Sequence, residues 1–264
     1  MSVQHPAKYS DPILPVLARY VDGARTILDP FAGTGRVGLL RQHLRGPVWI
    51  YGREIEAEWA AEAAGNGCDH VSVGDSRCLP WGKGVFEAVT TSPAYGNRMA
   101  DACDWAPGRK HSTYTSALRE TVGDPTRDLR PGNAGALQWG DAYRRLHREG
   151  WAECWRVLRP GGRLVLNVAD HYRDGKLQGV PKWHVSALLG IGFHTLDVAE
   201  VETQRYGFGA NADLRAPELV ICLYRPPFQR RHWAWRPELP RPDLSHPIWD
   251  VWPEPQQLSL LEAP

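Results

Sequence analysis

The 264-residue chain has almost no net charge, a formal +1 at pH 7. No global polycationic character therefore argues for nucleic acid, and any nucleic-acid site has to be a local patch. A C-x-x-C pair is also missing, and the five cysteines (Cys68, Cys78, Cys103, Cys154 and Cys222) are an odd number. This argues against a disulfide scaffold or a zinc site and for free thiols in a reducing compartment. There is no secretory signal and no apolar run approaching the roughly 18 residues of a membrane span. A cytoplasmic protein, without membrane or metal, is the expectation. Internal repeats are absent as well. What is present is ordinary for a globular chain: 42% apolar and 23% charged residues, enough for one large domain or two small ones.

The chain reads as alternating strands and helices. Asp11-Pro12 looks like an N-cap and first turn, followed by a helix with Leu14, Leu17, Ala18 and Val21 on one face. Strands are expected at 25–28, 48–51, 70–73, 85–90 and 164–168, with helices at Leu39-Leu40, around Trp59–Ala64, from Trp151 to Leu158 and over 182–190. A terminal strand pair covers 193–201 and 218–224. Such an order predicts a doubly wound α/β sheet. Residues 97–136 lack clear periodicity and form an inserted segment, of the long kind that is usually functional. Beyond Arg225 a Pro- and Trp-rich tail, 226–264, carries four of the twelve tryptophans. It is expected to drape over the domain formed by 1–225 or to be partly disordered.

Gly33-x-Gly35-x-x-Gly38 follows the first strand and precedes a helix, and glycines there let the backbone turn tightly beside a ligand. Glu54, about 20 residues further on, suits ribose hydroxyls. This pattern alone does not separate NAD from S-adenosylmethionine (SAM). Asp29, at the end of the first strand, suits a cationic amino group and would repel a pyrophosphate. Asp75, after the third strand, is placed to accept from an adenine amino group or to cap a turn.

Taken together, Asp29-Pro30-Phe31-Ala32-Gly33-Thr34-Gly35, Glu54, Asp75 and Ser92-Pro93-Ala94-Tyr95 resemble the SAM-dependent amino-methyltransferases that act on DNA. His5–Ser10 and Val157–Val168 resemble two further segments of that family, so the match runs in family order over about residues 5–225. The resemblance implies a mostly parallel, seven-stranded class I SAM-methyltransferase (Rossmann-like) sheet with an inserted target-recognition loop and an antiparallel last strand. It places Lys8, Tyr9, Asp29, Pro30, Phe31, Gly33, Gly35, Glu54, Asp75 and Ser76 at the cofactor, SAM, whose product is S-adenosylhomocysteine.

The Ser92–Tyr95 loop would then hold a base amine. Such a nitrogen delocalises its lone pair into the ring, so two acceptors on its N–H groups are needed to orient it. The Ser92 hydroxyl and the Pro93 carbonyl are the candidates, and Tyr95 can stack on a base flipped out of double-stranded DNA. In the family, Ser-Pro-Pro-Tyr is usual for cytosine N4 and Asn- or Asp-Pro-Pro-Tyr for adenine N6. Ser92 favours cytosine, and adenine stays open. Ala94 replaces the second proline, which keeps both acceptors and removes stiffness. No Pro-Cys dipeptide occurs, so the usual cytosine ring-carbon signature is missing.

Arg98, Arg109, Lys110 and His111, with Arg119, Arg127 and Arg130, are candidates for phosphate or base contacts, and Tyr114 for stacking. Neighbouring acids nearly cancel their charge. Arg144, Arg145 and Arg148 add a stripe on the next helix, and Phe208 and Asn211 sit in a second glycine-rich loop expected on the same side. His171 and His184 resemble catalytic bases, but the chemistry demands none. A stand-alone enzyme, compatible with a monomer, is the leading expectation. The alternatives are an RNA base-amine methyltransferase, an NAD oxidoreductase and a decayed protein that still binds DNA or SAM.

Overall fold

The computed structural model describes residues 9–96, 113–173, 176–203 and 217–227. Lys8, Arg98, Arg109, Lys110, His111, Phe208, Asn211 and nearly all of the 226–264 tail lie outside these residues, so their expected roles have no structural account. Elements in chain order are α1 (Ile13–Val21), β1 (Thr26–Asp29), a 3-10 helix (Arg36–His43), β2 (Trp49–Glu54), α2 (Ala57–Gly65), β3 (His70–Val73), β4 (Phe86–Thr91), α3 (Tyr114–Val122), α4 (Asp141–Val157) and β5 (Leu158–Ala169). A two-residue ribbon, β6 (Tyr172–Arg173) and β7 (Lys176–Leu177), leads to α5 (Val180–Ile191), β8 (His194–Val201) and β9 (Glu218–Tyr224).

Seven strands form one sheet in the order β3-β2-β1-β4-β5-β9-β8. Pairings from β3 through β5 are parallel, and β9 runs antiparallel to both its neighbours. The expected architecture, with its one reversed strand, is therefore present. Strand alternation builds the core on both faces. Ile27, Ala88 and Val165 point into a cluster with Leu14, Leu17 and Val21 of α1. Their chain neighbours Leu28, Val89, Leu164 and Leu166 point into another with Trp151, Cys154, Val185 and Leu188 of α4 and α5. Both faces are covered, so the strands read as near-continuous apolar runs.

Three local expectations are corrected. Asp11 makes no cap: the N-cap of α1 is Pro12, and the Asp11 carboxylate accepts from Arg36 at 2.5 Å instead. The helix after the glycine loop is a 3-10 helix and not an α-helix. The inserted segment is not structureless over its described part. α3 is fixed by reciprocal hydrogen bonds between Thr113 and Ser116, and it stops at Gly123 in a left-handed conformation. Its apolar residues Tyr114, Ala117 and Leu118 pack on Trp59 of α2. Nine residues give only one i, i+3, i+4 set, too short a signal to stand out from polar flanks.

Among the described residues no helix is long and apolar enough to cross a membrane, and no group of acids, cysteines and histidines could hold a metal ion. Cys68, Cys78, Cys154 and Cys222 are free thiols.

Two glycines of the motif are needed for packing. A β-carbon on Gly35 would lie 2.5 Å from Ala63 Cα, and one on Gly38 would collide with the Asn66 carbonyl. Gly38→Ala should therefore destabilise the fold by about 1–3 kcal/mol through overpacking. Urea unfolding of wild type and variant measures this, and equal midpoints would contradict it.

Candidate active site

β1 lies between β2 and β4, and the chain builds outward to β3 before crossing back, so a crevice opens at the C-terminal ends of β1 and β4. Three polar side chains occupy the last positions of their strands there: Asp29, Glu54 and Thr91. A cleft that joins the glycine loop to the end of β4 opens above them. Asp29, Gly33, Glu54, Ser76, Ser92 and Ala94 are among its lining residues, so one space joins the glycine loop to the Ser-Pro-Ala-Tyr loop.

Asp29 is buried and accepts three hydrogen bonds: from Tyr9 Oη at 3.0 Å, from the Phe31 amide at 3.0 Å and from Thr91 Oγ1 at 2.7 Å. Burial still outweighs these donors and pushes its pKa up to about 6. The same contact holds the Tyr9 phenol well above its usual range, burial again being the larger cause. Glu54 accepts from the Gly33 and Glu56 amides at 2.8 and 2.9 Å, and burial raises its pKa to about 7. Each carboxylate offers about four lone-pair sites, so both retain acceptor capacity toward the cleft.

The glycine loop satisfies its own amides. Gly33 donates to Glu54, Gly35 to the Ala32 carbonyl at 2.8 Å and Gly38 to the Gly35 carbonyl at 2.9 Å. Gly33 and Gly35 have φ of 53° and 81°, which favours glycine at both positions.

Tyr9, Pro30 and Phe31 line the cleft as well. Phe31 stacks on His147, with 5.4 Å between ring centroids. Gly35 packs against Ala63 instead. Asp75 is engaged by Arg77, whose Nη2 lies at 2.6 Å and whose amide lies at 2.8 Å. This pairing keeps the acid low, and the adjacent cleft wall comes from Gly74 and Ser76.

At the end of β4, Ser92 Oγ and Tyr95 Oη are 3.0 Å apart. Asn167, at the C-terminal end of β5, donates through Nδ2 toward Ser92 Oγ at 3.3 Å and Tyr95 Oη at 3.4 Å. Glu218 of β9 accepts from the same nitrogen at 3.3 Å. Sequence reasoning missed Asn167 and Glu218. The available signal was a lone amide inside Leu164-Val165-Leu166-Asn167-Val168, where every neighbour is buried. Pro93 is buried, and Tyr95 packs its ring against the core beneath α4 and α5.

The described part of the inserted segment is anchored on Glu56, a fully buried carboxylate at the N-terminus of α2. It accepts from the Arg130 amide at 2.7 Å, from Asn133 Nδ2 at 2.8 Å and from Arg127 at 3.1 Å. Arg119 pairs with Asp128 at 2.7 Å. The side chains of Arg119 and Arg127, candidates for phosphate or base contacts, are thus paired with acids of their own chain, whereas Arg130 bonds through its amide and keeps a half-exposed side chain 3.9 Å from Glu56. Tyr114 is buried, lines the cleft and lies against Gly135. Arg144 and Arg148 cover the rings of Trp139 and Trp183. His184 is fully buried and its pKa lies well below the ordinary value, so it is a neutral structural ring and not an exposed base. Burial lowers His171 in the same direction.

No family model and no curated protein matches the chain. Among solved structures it is similar to the [4+2]-cyclase SpnF, at 15% identity over 82% of this chain and 81% of that one, with TM-score 0.52. A chain of the complex between the Haloferax volcanii Trm112 methyltransferase activator and a methyltransferase is similar at 15% identity, covering 85% and 90%, with TM-score 0.50. Geranyl diphosphate methyltransferase in complex with GPP and sinefungin is similar at 14% identity, covering 81% and 76%, with TM-score 0.50. The fold is that of the class I SAM-dependent methyltransferases, and it carries more than one chemistry.

The raised acids have a testable consequence. Unfolded, both ionise near pH 4; folded, they ionise at about 6 and about 7. As pH rises the unfolded state loses these protons first, so the two groups lower stability between about pH 4 and 7. Buried neutral His147, pushed down to about 4, and His184 act in the opposite sense, so the comparison has to be differential. Asp29→Asn/Glu54→Gln should gain on the order of 3 kcal/mol relative to wild type between pH 5 and pH 8. Denaturant midpoints at both pH values measure it, and a pH-independent difference would refute the assignment.

Proposed function

We propose that the chain is a SAM-dependent methyltransferase that methylates the exocyclic amine of a base in double-stranded DNA, with N4 of cytosine favoured over N6 of adenine. The observation that carries this reading is the single cleft joining Asp29, Gly33 and Glu54 to Ser92 and Ala94. Thr91 connects the two ends: its side chain bonds Asp29 at 2.7 Å, and Ser92 follows it directly.

The residues present fit SAM better than a dinucleotide. The amides of Gly33, Gly35 and Gly38 are all internally satisfied, so they do not form the open anion cradle that a pyrophosphate requires. A buried carboxylate, Asp29, lines the same cleft and would repel a pyrophosphate's charge. Tyr9, Asp29 and Gly33 would hold the amino-acid end of SAM, Glu54 its ribose, and Ser76 with the neighbouring backbone its adenine. When bound, SAM supplies an electrophilic methyl group.

The chain's own residues then orient the acceptor. Donation of the Ser92 hydroxyl proton to Tyr95, with Asn167 Nδ2 on one lone pair, leaves a second lone pair for a base N–H. The Pro93 carbonyl accepts the other N–H. Both contacts strengthen as positive charge develops on the nitrogen, which is what accelerates the step. A stacking role for Tyr95 rests on the resemblance alone, since its ring packs against the core. The cytosine preference rests on Ser92, and DNA as the carrier rests on the resemblance of the ordered motifs.

Calorimetry should detect SAM binding and none for NAD. Ser92→Ala should lower turnover about 100-fold or more, with SAM affinity and melting temperature nearly unchanged. Wild-type turnover in that variant would remove Ser92 from the acceptor site.

A further inference from the structure

The Ser-Pro-Ala-Tyr loop is held from behind by α4 and by the segment that leads into it. The Trp139 amide donates to the Gly96 carbonyl at 2.8 Å, and Tyr143 Oη donates to the Ala94 carbonyl at 2.5 Å. Tyr143 Oη also lies 2.8 Å from His184 Nε2, and Trp151 Nε1 donates to His184 Nδ1 at 3.2 Å. All three rings are fully buried.

Proton counting gives this chain one direction. An indole nitrogen can only donate, so His184 Nδ1 accepts and carries no proton. A neutral imidazole then has its proton on Nε2, and Nε2–H donates to the Tyr143 oxygen. The Tyr143 proton is left with one acceptor, the Ala94 carbonyl. Each group is satisfied in only one arrangement, so the loop carbonyl meets a donor whose own orientation is fixed two residues back in the chain of bonds. Gly96, at φ 64°, brings the loop so close to the segment before α4 that a β-carbon there would lie 2.9 Å from the Trp139 amide nitrogen.

We propose that Tyr143 is a positioning residue for the acceptor loop, fixed by His184 and Trp151, and that this chain supplies at Ala94 the rigidity that a second proline ring would otherwise give. The catalytic part of this inference rests on the reading of Ser92–Tyr95 as the acceptor site; the effect on loop order does not.

Hydrogen exchange of the amides of residues 92 and 94–96 tests it directly. Tyr143→Phe keeps the ring and removes the donor, and should speed exchange there about tenfold or more, while exchange within β5 stays at the wild-type rate. Unchanged exchange in the loop would overturn the proposal. Should Tyr143→Phe loosen β5 equally, the His184 pair decides. His184→Gln keeps one acceptor and one donor and should preserve loop protection, whereas His184→Leu should lose it; equal behaviour of the two would overturn the proposal. In methylation assays Tyr143→Phe should lower kcat about tenfold with the Kd for SAM within about twofold, a split that general destabilisation would not produce. A wild-type enzyme that methylates no base would defeat the proposed function and still leave the exchange result to decide the positioning claim.

Discussion

The buried carboxylate of Asp29 organises this molecule. Its three donors come from three places in the chain: Tyr9 before α1, Phe31 in the glycine loop and Thr91 at the end of β4. One side chain thereby sets the spacing between the strand that begins the nucleotide-type loop and the strand that ends in Ser92. The energetic cost is visible in its raised pKa: three hydrogen bonds do not compensate fully for removal from water. A cationic group brought to the cleft would relieve that imbalance, which is the physical sense in which the fold is poised for a positively charged ligand. Glu54, raised to about 7 for the same reason, extends the argument to the neighbouring strand.

How much of this was legible in the sequence follows from the range of each interaction. Strands were readable because both faces of the sheet are covered and their apolar runs are continuous, as in Leu164–Leu166. The acids at strand ends were readable because they stand at the edges of such runs. Contacts between distant segments were not. Glu56 precedes α2 and looks like an ordinary first-turn acid, yet it is fully buried under Arg127, Arg130 and Asn133. The same pairing anchors the inserted segment through Arg127 and through the Arg130 amide. Asp75 looked available for an adenine, and its partner Arg77 stands only two residues away. Single-residue spacing cannot tell a free acid from one folded back on its neighbour.

Ala94 illustrates the same limit from the other side. As a departure from Pro-Pro-Tyr it suggested a loosened loop. In the fold the residue carbonyl is engaged by Tyr143, 49 positions away, and the ring behind Tyr143 belongs to α5. Rigidity that a local ring would supply can be supplied by a long-range hydrogen bond, and only the folded arrangement of α4 and α5 reveals it. The fold itself does not choose the reaction, since a cyclase and methyltransferases share it. In the proposed function the choice rests on the residues at the C-terminal ends of β1, β2 and β4.

The most direct measurement is expression of the protein in a methylation-deficient host, followed by nucleoside mass spectrometry of the host DNA. N4-methylcytosine, absent from cells carrying Ser92→Ala, is the predicted result. DNA free of both N4-methylcytosine and N6-methyladenine, from cells holding folded, SAM-binding protein, would contradict the account.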